Sequence, residues 1–136
     1  MPSAPTINIT ADKQVPFDDT IPEMAVDYSD ASALMQVRYE PGDSGDPVLE
    51  LSTTLAGGEG IVIAYDAGYA DPEGINPPGA TIIQLLLNEA TLEAMAGAAN
   101  TSEDAVYHYD IHLTPSGGKK FIFCRGKFIV SPGVTQ

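Results

Sequence analysis

The stretch "YHYDIHL", residues 107–113, alternates aromatic or aliphatic residues with polar ones. Successive side chains of a β-strand point to opposite faces, so this spacing predicts a strand with two different sides. The apolar side, which we expect in the core, is formed by Tyr107, Tyr109, Ile111 and Leu113. The polar side is formed by His108, Asp110 and His112 and includes both histidines of the chain.

Two interpretations of the polar side compete. Alternate residues lie about 6.5–7 Å apart along a strand, and zinc accepts both histidine and aspartate, so a metal-binding module or hydrolase is one alternative. All three ligands would then come from one flat strand, whereas tetrahedral sites usually draw on several elements. We favour a solvent-facing side on which Asp110 pairs with a basic residue across a hairpin, between Lys119 and Arg125.

Period-two alternation broken by glycine and proline recurs along the chain. It predicts strands near residues 6–10, 20–26, 33–40, 48–53, 61–65, 105–113 and 119–130, and an apolar run predicts another at 80–87. Asn88 as a cap, with Leu92 and Met95 three residues apart, predicts one helix at 88–99. Pro22 would confine its strand to a sheet edge, strand 80–87 is apolar on both faces and thus central, and Gly126 marks a bulge or break.

These elements predict an all-β fold, an immunoglobulin-like β-sandwich of about seven to nine short antiparallel strands with one short helix. The chain lacks tryptophan and has a single cysteine, so it is not an antibody-type domain. We expect an N-terminal arm with possible edge strands at residues 1–32 and the β-sandwich domain at 33–136. The 136 residues suffice for one modest core.

The formal charge of −13 argues against binding nucleic acid through its phosphates. The charge is unevenly distributed, because four of the six basic residues, Lys119, Lys120, Arg125 and Lys127, follow residue 118. The first 118 residues hold two basic and all 19 acidic residues, a charge of −17. The basic tail is either a solvated edge hairpin or a docking face for an acidic partner, which could be the acidic half of a neighbouring copy.

Residues 66–79 form a long predicted loop, and long loops in compact domains are often contact surfaces or flexible insertions. Tyr65 and Tyr69 flank its start and are candidate contact anchors. Asp71 and Glu73 belong to the same candidate interface; with Asp66 they could also indicate calcium, but their spacing does not match a calcium-loop motif.

Catalytic motifs are absent from the sequence: there is no nucleophile-elbow, phosphate-loop or dinucleotide-binding pattern. Cys124 lies in a predicted strand, where a small buried hydrophobe is the expected role. No apolar run approaches the roughly 20 residues of a membrane helix, and no signal peptide is visible at the N-terminus. We therefore expect no enzymatic activity, no cofactor, and no nucleic-acid or membrane partner.

Two longer segments carry a resemblance to known proteins. These are "ALMQVRYEPGDSGDPVLELST" at 33–53 and "VYHYDIHLTPSGGKKFIFCRGKFIVSPGVT" at 106–135. The order of an "MQVR" strand, a Pro-Gly turn, an "LELST" strand, a helix and a closing hairpin resembles small proteins encoded among phage and prophage tail genes. It is also similar to the N-terminal domain of siphophage baseplate upper proteins, which attaches receptor-binding proteins to the tail.

The resemblance implies a non-enzymatic virion component. We expect an adaptor of the tail, baseplate or collar that anchors fibres or receptor-binding proteins, in multiple copies within a symmetric assembly. Such a protein is synthesised in the bacterial host cytoplasm and resides in the virion, in contact with other virion proteins. A capsid decoration protein is the alternative of the same class. A carbohydrate-binding sandwich is a separate option that does not rest on the resemblance, and the absence of tryptophan argues against it.

Overall fold

A computed structural model describes residues 5–12, 15–24, 26–40, 45–54, 59–94 and 104–131. Within these ranges the chain forms eight strands and one short helix. The elements are β1 (Ile9–Asp12), β2 (Phe17–Met24), β3 (Ser32–Arg38), β4 (Leu49–Ser52), β5 (Gly60–Asp66), β6 (Ala80–Leu87), α1 (Glu89–Ala94), β7 (Ala105–Thr114) and β8 (Phe121–Ser131).

The strands form two sheets. The five-stranded sheet has the order β1-β8-β7-β3-β4 and the three-stranded sheet the order β2-β6-β5. Every neighbouring pair is antiparallel except β1 and β8, which run parallel. The all-β class, with two sheets and one short helix, is thereby confirmed.

One hydrophobic core draws on both sheets. Met35 and Ile111 of the five-stranded sheet and Ile83 and Leu85 of the three-stranded sheet are fully buried members of it. Phe17 of β2 meets Phe128 of β8 edge-on, with ring centroids 5.9 Å apart. Burial of each such side chain contributes roughly 1.5–3 kcal/mol, so this shared core is what joins the sheets.

β7 has the predicted alternation. Its four apolar side chains at positions 107, 109, 111 and 113 are buried, and the polar ones between them are half-buried. Two further predictions are confirmed: β6 is central in its sheet, and β2, which contains Pro22, lies at an edge. β3 and β4, adjacent in sequence, form a hairpin. The alternation of β7 therefore separates a core face from an outward polar face.

The first 32 residues contribute strands to both sheets. β1 is an edge strand of the five-stranded sheet and β2 an edge strand of the other. The segment after β2 is tied to β6 by the buried Thr81 hydroxyl, which accepts from the Tyr28 amide at 2.8 Å and donates to the Val26 carbonyl at 2.6 Å. The division of the chain at residue 33 stays a prediction.

The helix begins where the sequence predicts it. The Asn88 carbonyl accepts hydrogen bonds from the amides of Thr91 (3.1 Å) and Leu92 (3.2 Å), and Leu92 is fully buried. The described helix covers Glu89–Ala94, and the remainder of the predicted range, 95–99, lies outside the described residues.

The bulge in the β7–β8 hairpin is not at Gly126, where the sequence predicted a bulge or break. Ile111 pairs with Cys124 and His112 pairs with Ile122, so Phe123 is the extra residue. Because of this bulge, the adjacent residues Phe123 and Cys124 are both buried, whereas adjacent residues of a regular strand point to opposite faces. Gly126 instead pairs regularly with Tyr109.

Gly126 serves a different purpose, a close approach of two backbones. A Cβ atom at this position would collide with the carbonyl of Ile7. That carbonyl accepts a hydrogen bond from the Tyr109 hydroxyl at 2.6 Å, and the Asn8 side-chain oxygen accepts one from the Lys127 amide at 3.0 Å. The N-terminal segment pairs in parallel with β8 at Thr6, opposite Arg125, and again from Ile9, opposite Phe128. Residues 7 and 8 between these points interrupt the regular pairing.

Replacing Gly126 with alanine should therefore destabilise the fold. The added methyl group would displace the Ile7 carbonyl from the Tyr109 hydroxyl, and overpacking of this kind costs about 1–3 kcal/mol. Chemical denaturation measures the loss in free energy of unfolding. Gly68→Ala is the control, because its Cβ would meet Asp66 Oδ1 at an ordinary 3.6 Å. Equal stability of the two variants would contradict the close approach.

Candidate functional site

The outward face of the five-stranded sheet contains a groove of about 620 Å³. Three neighbouring strands supply most of its charged and polar side chains, and the segment before β1 adds Thr6 and Asn8. The strand residues are Gln36 and Arg38 of β3, His108, Asp110 and His112 of β7, and Arg125 and Lys127 of β8. The polar face predicted for β7 is therefore the middle row of a concave site.

Strand register sets the order of charges in the groove. Asp110 lies between Gln36 on one side and Arg125 on the other. His108 lies between Arg38 and Lys127 in the same way. Directly opposed residues have Cβ atoms about 4.5–5.5 Å apart, so these rows bring side chains together that are far apart in sequence.

A chain of hydrogen bonds holds one wall of the groove. Gln36 Nε2 donates to Glu50 Oε2 at 2.7 Å, and Arg38 Nη2 donates to Gln36 Oε1 at 3.0 Å. Arg38 Nη1 also donates to the Gly45 carbonyl at 2.7 Å. The guanidinium of Arg38 is therefore fixed in orientation before any partner binds.

Asp110 contacts a histidine of its own strand. Its Oδ2 lies 3.4 Å from His112 Nε2, an ion-pair distance without hydrogen-bond geometry, and that nitrogen is buried without a hydrogen-bond partner. Arg125 is opposite Asp110 in the register, but the close side-chain contact of the Asp110 carboxylate among the described residues is with His112. Among the described residues, no group of three His, Cys, Asp or Glu side chains is placed to hold a metal ion. His108, Asp110 and His112 therefore do not form such a group.

The structure divides the predicted basic set in two. Arg125 and Lys127 are exposed and line the groove, and neither side chain has a hydrogen bond or ion pair within the described part of the chain. Lys119 and Lys120 are exposed on the turn between β7 and β8, outside the groove. The groove thus contains two cations available to a partner's carboxylates.

Loop 66–79, the second candidate surface, is ordered by its own hydrogen bonds. The Asp71 carboxylate accepts from the amides of Glu73 (3.0 Å), Ile75 (3.2 Å) and Asn76 (2.9 Å). These bonds, that of Asn76 first, hold the pKa of Asp71 below its usual range. Asp71 therefore shapes the loop from within.

The Asp71 hydrogen bonds present an apolar side chain to solvent. Ile75 is 75% exposed, the highest value among the described large hydrophobic residues. Of the predicted contacts, Tyr65 and Glu73 are exposed and Tyr69 is half-buried, with its carbonyl accepting from the Gly79 amide at the loop base (2.8 Å). Sequence reasoning missed Ile75, although a lone isoleucine among Pro, Gly and Asp was a usable signal.

Cys124 is enclosed beneath the groove. Its sulfur lies 3.7 Å from the Tyr109 hydroxyl, and burial raises the pKa of the Cys124 thiol to about 11. Burial, with the nearby thiol, also raises the pKa of Tyr109. The expected role of Cys124 as a buried small hydrophobe is confirmed.

Comparison with known proteins does not assign the chain to a family. No protein-family model matches the chain, and no match is found among curated proteins. Among the described residues, no helix has the length and apolar character needed to cross a membrane.

Removing the Asp71 carboxylate should loosen the tip of loop 66–79. Asp71→Ala eliminates the acceptor of three amide bonds, and loss of even one such bond corresponds to about tenfold faster local opening. Hydrogen exchange at the amides of Glu73, Ile75 and Asn76 measures this. Glu73→Gln, a change in the same loop, should leave those rates unchanged. If the rates match those of the parent protein, Asp71 does not order the loop.

Cys124 should resist alkylation in the folded protein. At pH 8 a thiol of pKa about 11 is ionised to roughly one part in a thousand, and the thiolate is the reactive form. We expect iodoacetamide to modify the native thiol at least about 100-fold more slowly than the denatured one, as followed by mass spectrometry. A Cys124→Ala/Ser116→Cys variant, with its thiol on the exposed turn, should react rapidly. Fast native labelling of Cys124 would show that it is accessible.

Proposed function

We propose that this protein is a non-enzymatic structural subunit of a phage virion, an adaptor in the tail, baseplate or collar that anchors fibres or receptor-binding proteins. The order of motifs in segments 33–53 and 106–135 supports the phage assignment. The observation that carries a contact role is the ordered loop with Ile75 held in solvent. An exposed apolar side chain on a fixed backbone can serve as the buried anchor of a protein interface.

The finer fold belongs to the same proposal. Two mostly antiparallel sheets that share one core support an immunoglobulin-like β-sandwich. Such a scaffold presents loops from a rigid body, which suits an adaptor that must hold larger parts at fixed positions.

The adhesive contribution of the loop can be estimated physically. Covering Ile75 would stabilise a contact by roughly 1.5–3 kcal/mol. Because Asp71 already orders the loop, little further entropy is lost on binding, and more of that energy appears as affinity. Multiple copies in a symmetric particle would multiply the effect without new contacts.

Quantitative mass spectrometry of purified particles tests the proposal. A phage lacking this gene, complemented with the wild-type chain, should contain the protein in a fixed number of copies per particle. Complementation with Ile75→Asp should lower its incorporation at least about tenfold, because a charge replaces the anchor. Val15→Asp, which alters an exposed apolar residue on the β1–β2 connection, should be incorporated normally.

Two results would overturn the proposal. Absence of the wild-type chain from particles that contain their other structural proteins would remove the virion role. Incorporation of Ile75→Asp at the wild-type level would remove the loop as the anchor. Electron cryo-microscopy then distinguishes a tail position, which the proposal requires, from a capsid position, which would make the protein a decoration subunit.

A further inference from the structure

We infer that loop 66–79 of one copy docks into the groove on the five-stranded sheet of a second copy, so that subunits associate head to tail. The inference rests on the proposed assembly function and specifies a partner for the groove. Its occupant is the acidic, Ile75-bearing loop of an identical chain.

The two surfaces are separate on one molecule. The loop joins β5 to β6 in the three-stranded sheet, whereas the groove lies on β3, β7 and β8 of the other sheet. No residue of the loop lines the groove of its own molecule. One copy can therefore offer its loop to a neighbour while its own groove receives another loop.

The charges of the two surfaces are complementary. The loop has three carboxylates, those of Asp66, Asp71 and Glu73, and no basic residue. Asp71 is occupied within the loop and Asp66 Oδ1 accepts from the Gly68 amide at 3.0 Å, so Glu73 is the exposed carboxylate that a neighbour would meet first. The groove offers the exposed cations Arg125 and Lys127, in a chain whose charge is otherwise strongly negative. Opposed patches of this kind steer association and fix its register.

The groove contains acidic groups as well, and these set the register further. Asp110 and Glu40 line it together with the histidines at 108 and 112. A docked loop that placed Glu73 near Asp110 would suffer like-charge repulsion, so its carboxylate is directed toward β8, where Arg125 and Lys127 lie. Arginine binds carboxylates through two parallel hydrogen bonds, which makes Arg125 the more specific of the two.

The size and lining of the groove suit a loop tip. Its volume of about 620 Å³ lies within the range of about 300–1,000 Å³ that is typical of binding pockets. Arginine and lysine side chains have apolar stems below their charged ends, and these stems can cover Ile75 while the heads pair with Glu73. Apolar burial and ion pairing would then reinforce each other in one contact.

This contact joins different surfaces on the two partners. A heterologous contact closes into a ring when its rotation allows and otherwise extends into a filament. Each subunit in the interior of such an assembly makes the contact twice, once through its loop and once through its groove. A subunit with one surface disabled can only occupy an end.

Two variants that each disable one surface provide the test. Arg125→Glu/Lys127→Glu reverses the groove charges, and Glu73→Gln/Ile75→Asn removes the charge and the apolar anchor of the loop tip. Lys119→Glu/Lys120→Glu is the matched control, because it makes the same change of charge on the turn outside the groove. Circular dichroism first establishes that all the variants remain folded.

Sedimentation velocity gives the expected outcomes. The wild-type chain should associate at about 0.1 M salt and at least about tenfold more weakly at about 1 M salt, where exposed charges are screened. Each disabled variant alone should be monomeric, and the turn variant should behave as the wild type does. Mixing the two disabled variants should give a 1:1 complex and nothing larger, because one intact loop meets one intact groove.

The inference is overturned if the groove variant associates like the wild type, if the mixed variants do not pair, or if the wild-type chain is monomeric at every concentration. The last result, with the chain still present in particles, would leave the proposed virion function intact. Self-association of a chain that is absent from particles would support the contact between loop and groove and would overturn the proposed virion function.

Discussion

The alternation of side chains along β7 is the constraint on which the rest of the structure depends. β7 is the middle strand of the five-stranded sheet, with β8 and β3 on its two sides. Its apolar side chains complete the core, and its polar ones form the centre of the groove. A slip of one residue in its pairing would exchange the two faces, burying a carboxylate and two histidines and exposing two tyrosines. The strand register that buries the apolar side chains of β7 therefore also determines which side chains line the groove.

The junction at Gly126 extends that constraint to the N-terminal segment. Because this residue lacks a side chain, the Ile7 carbonyl comes close enough to accept a hydrogen bond from the buried Tyr109 hydroxyl, whose other polar neighbour is the Cys124 sulfur. The same arrangement directs Asn8 to the Lys127 amide, beside the cations of the groove. Edge strand β1 is thus held by backbone pairing, and the segment that leads into it is held by the side chains of Tyr109 and Asn8.

Local patterns predicted the elements, whereas their pairing across the chain was not predictable. Alternation identified β3 and β7 because each of these strands contains its own two-sided pattern, and an apolar run of strand length identified β6. The parallel β1–β8 pair and the contact of β2 with β6 depend on residues over 55 positions apart, which no local pattern encodes. The bulge was misplaced because the apolar run at 121–124 conceals an extra residue. Likewise the groove appears only when register aligns Arg38, His108 and Lys127.

The net charge and the local contact act over different distances, and this decides how such a chain can assemble. A formal charge of −13 repels every identical copy, and at about 0.01 M salt that repulsion extends about 30 Å. At about 0.15 M salt the range falls to about 8 Å, so only groups in contact still interact strongly. Arg125 and Lys127 then meet carboxylates while the remaining charge of the partner is screened. High acidity keeps free subunits apart, and a small basic groove permits one specific approach.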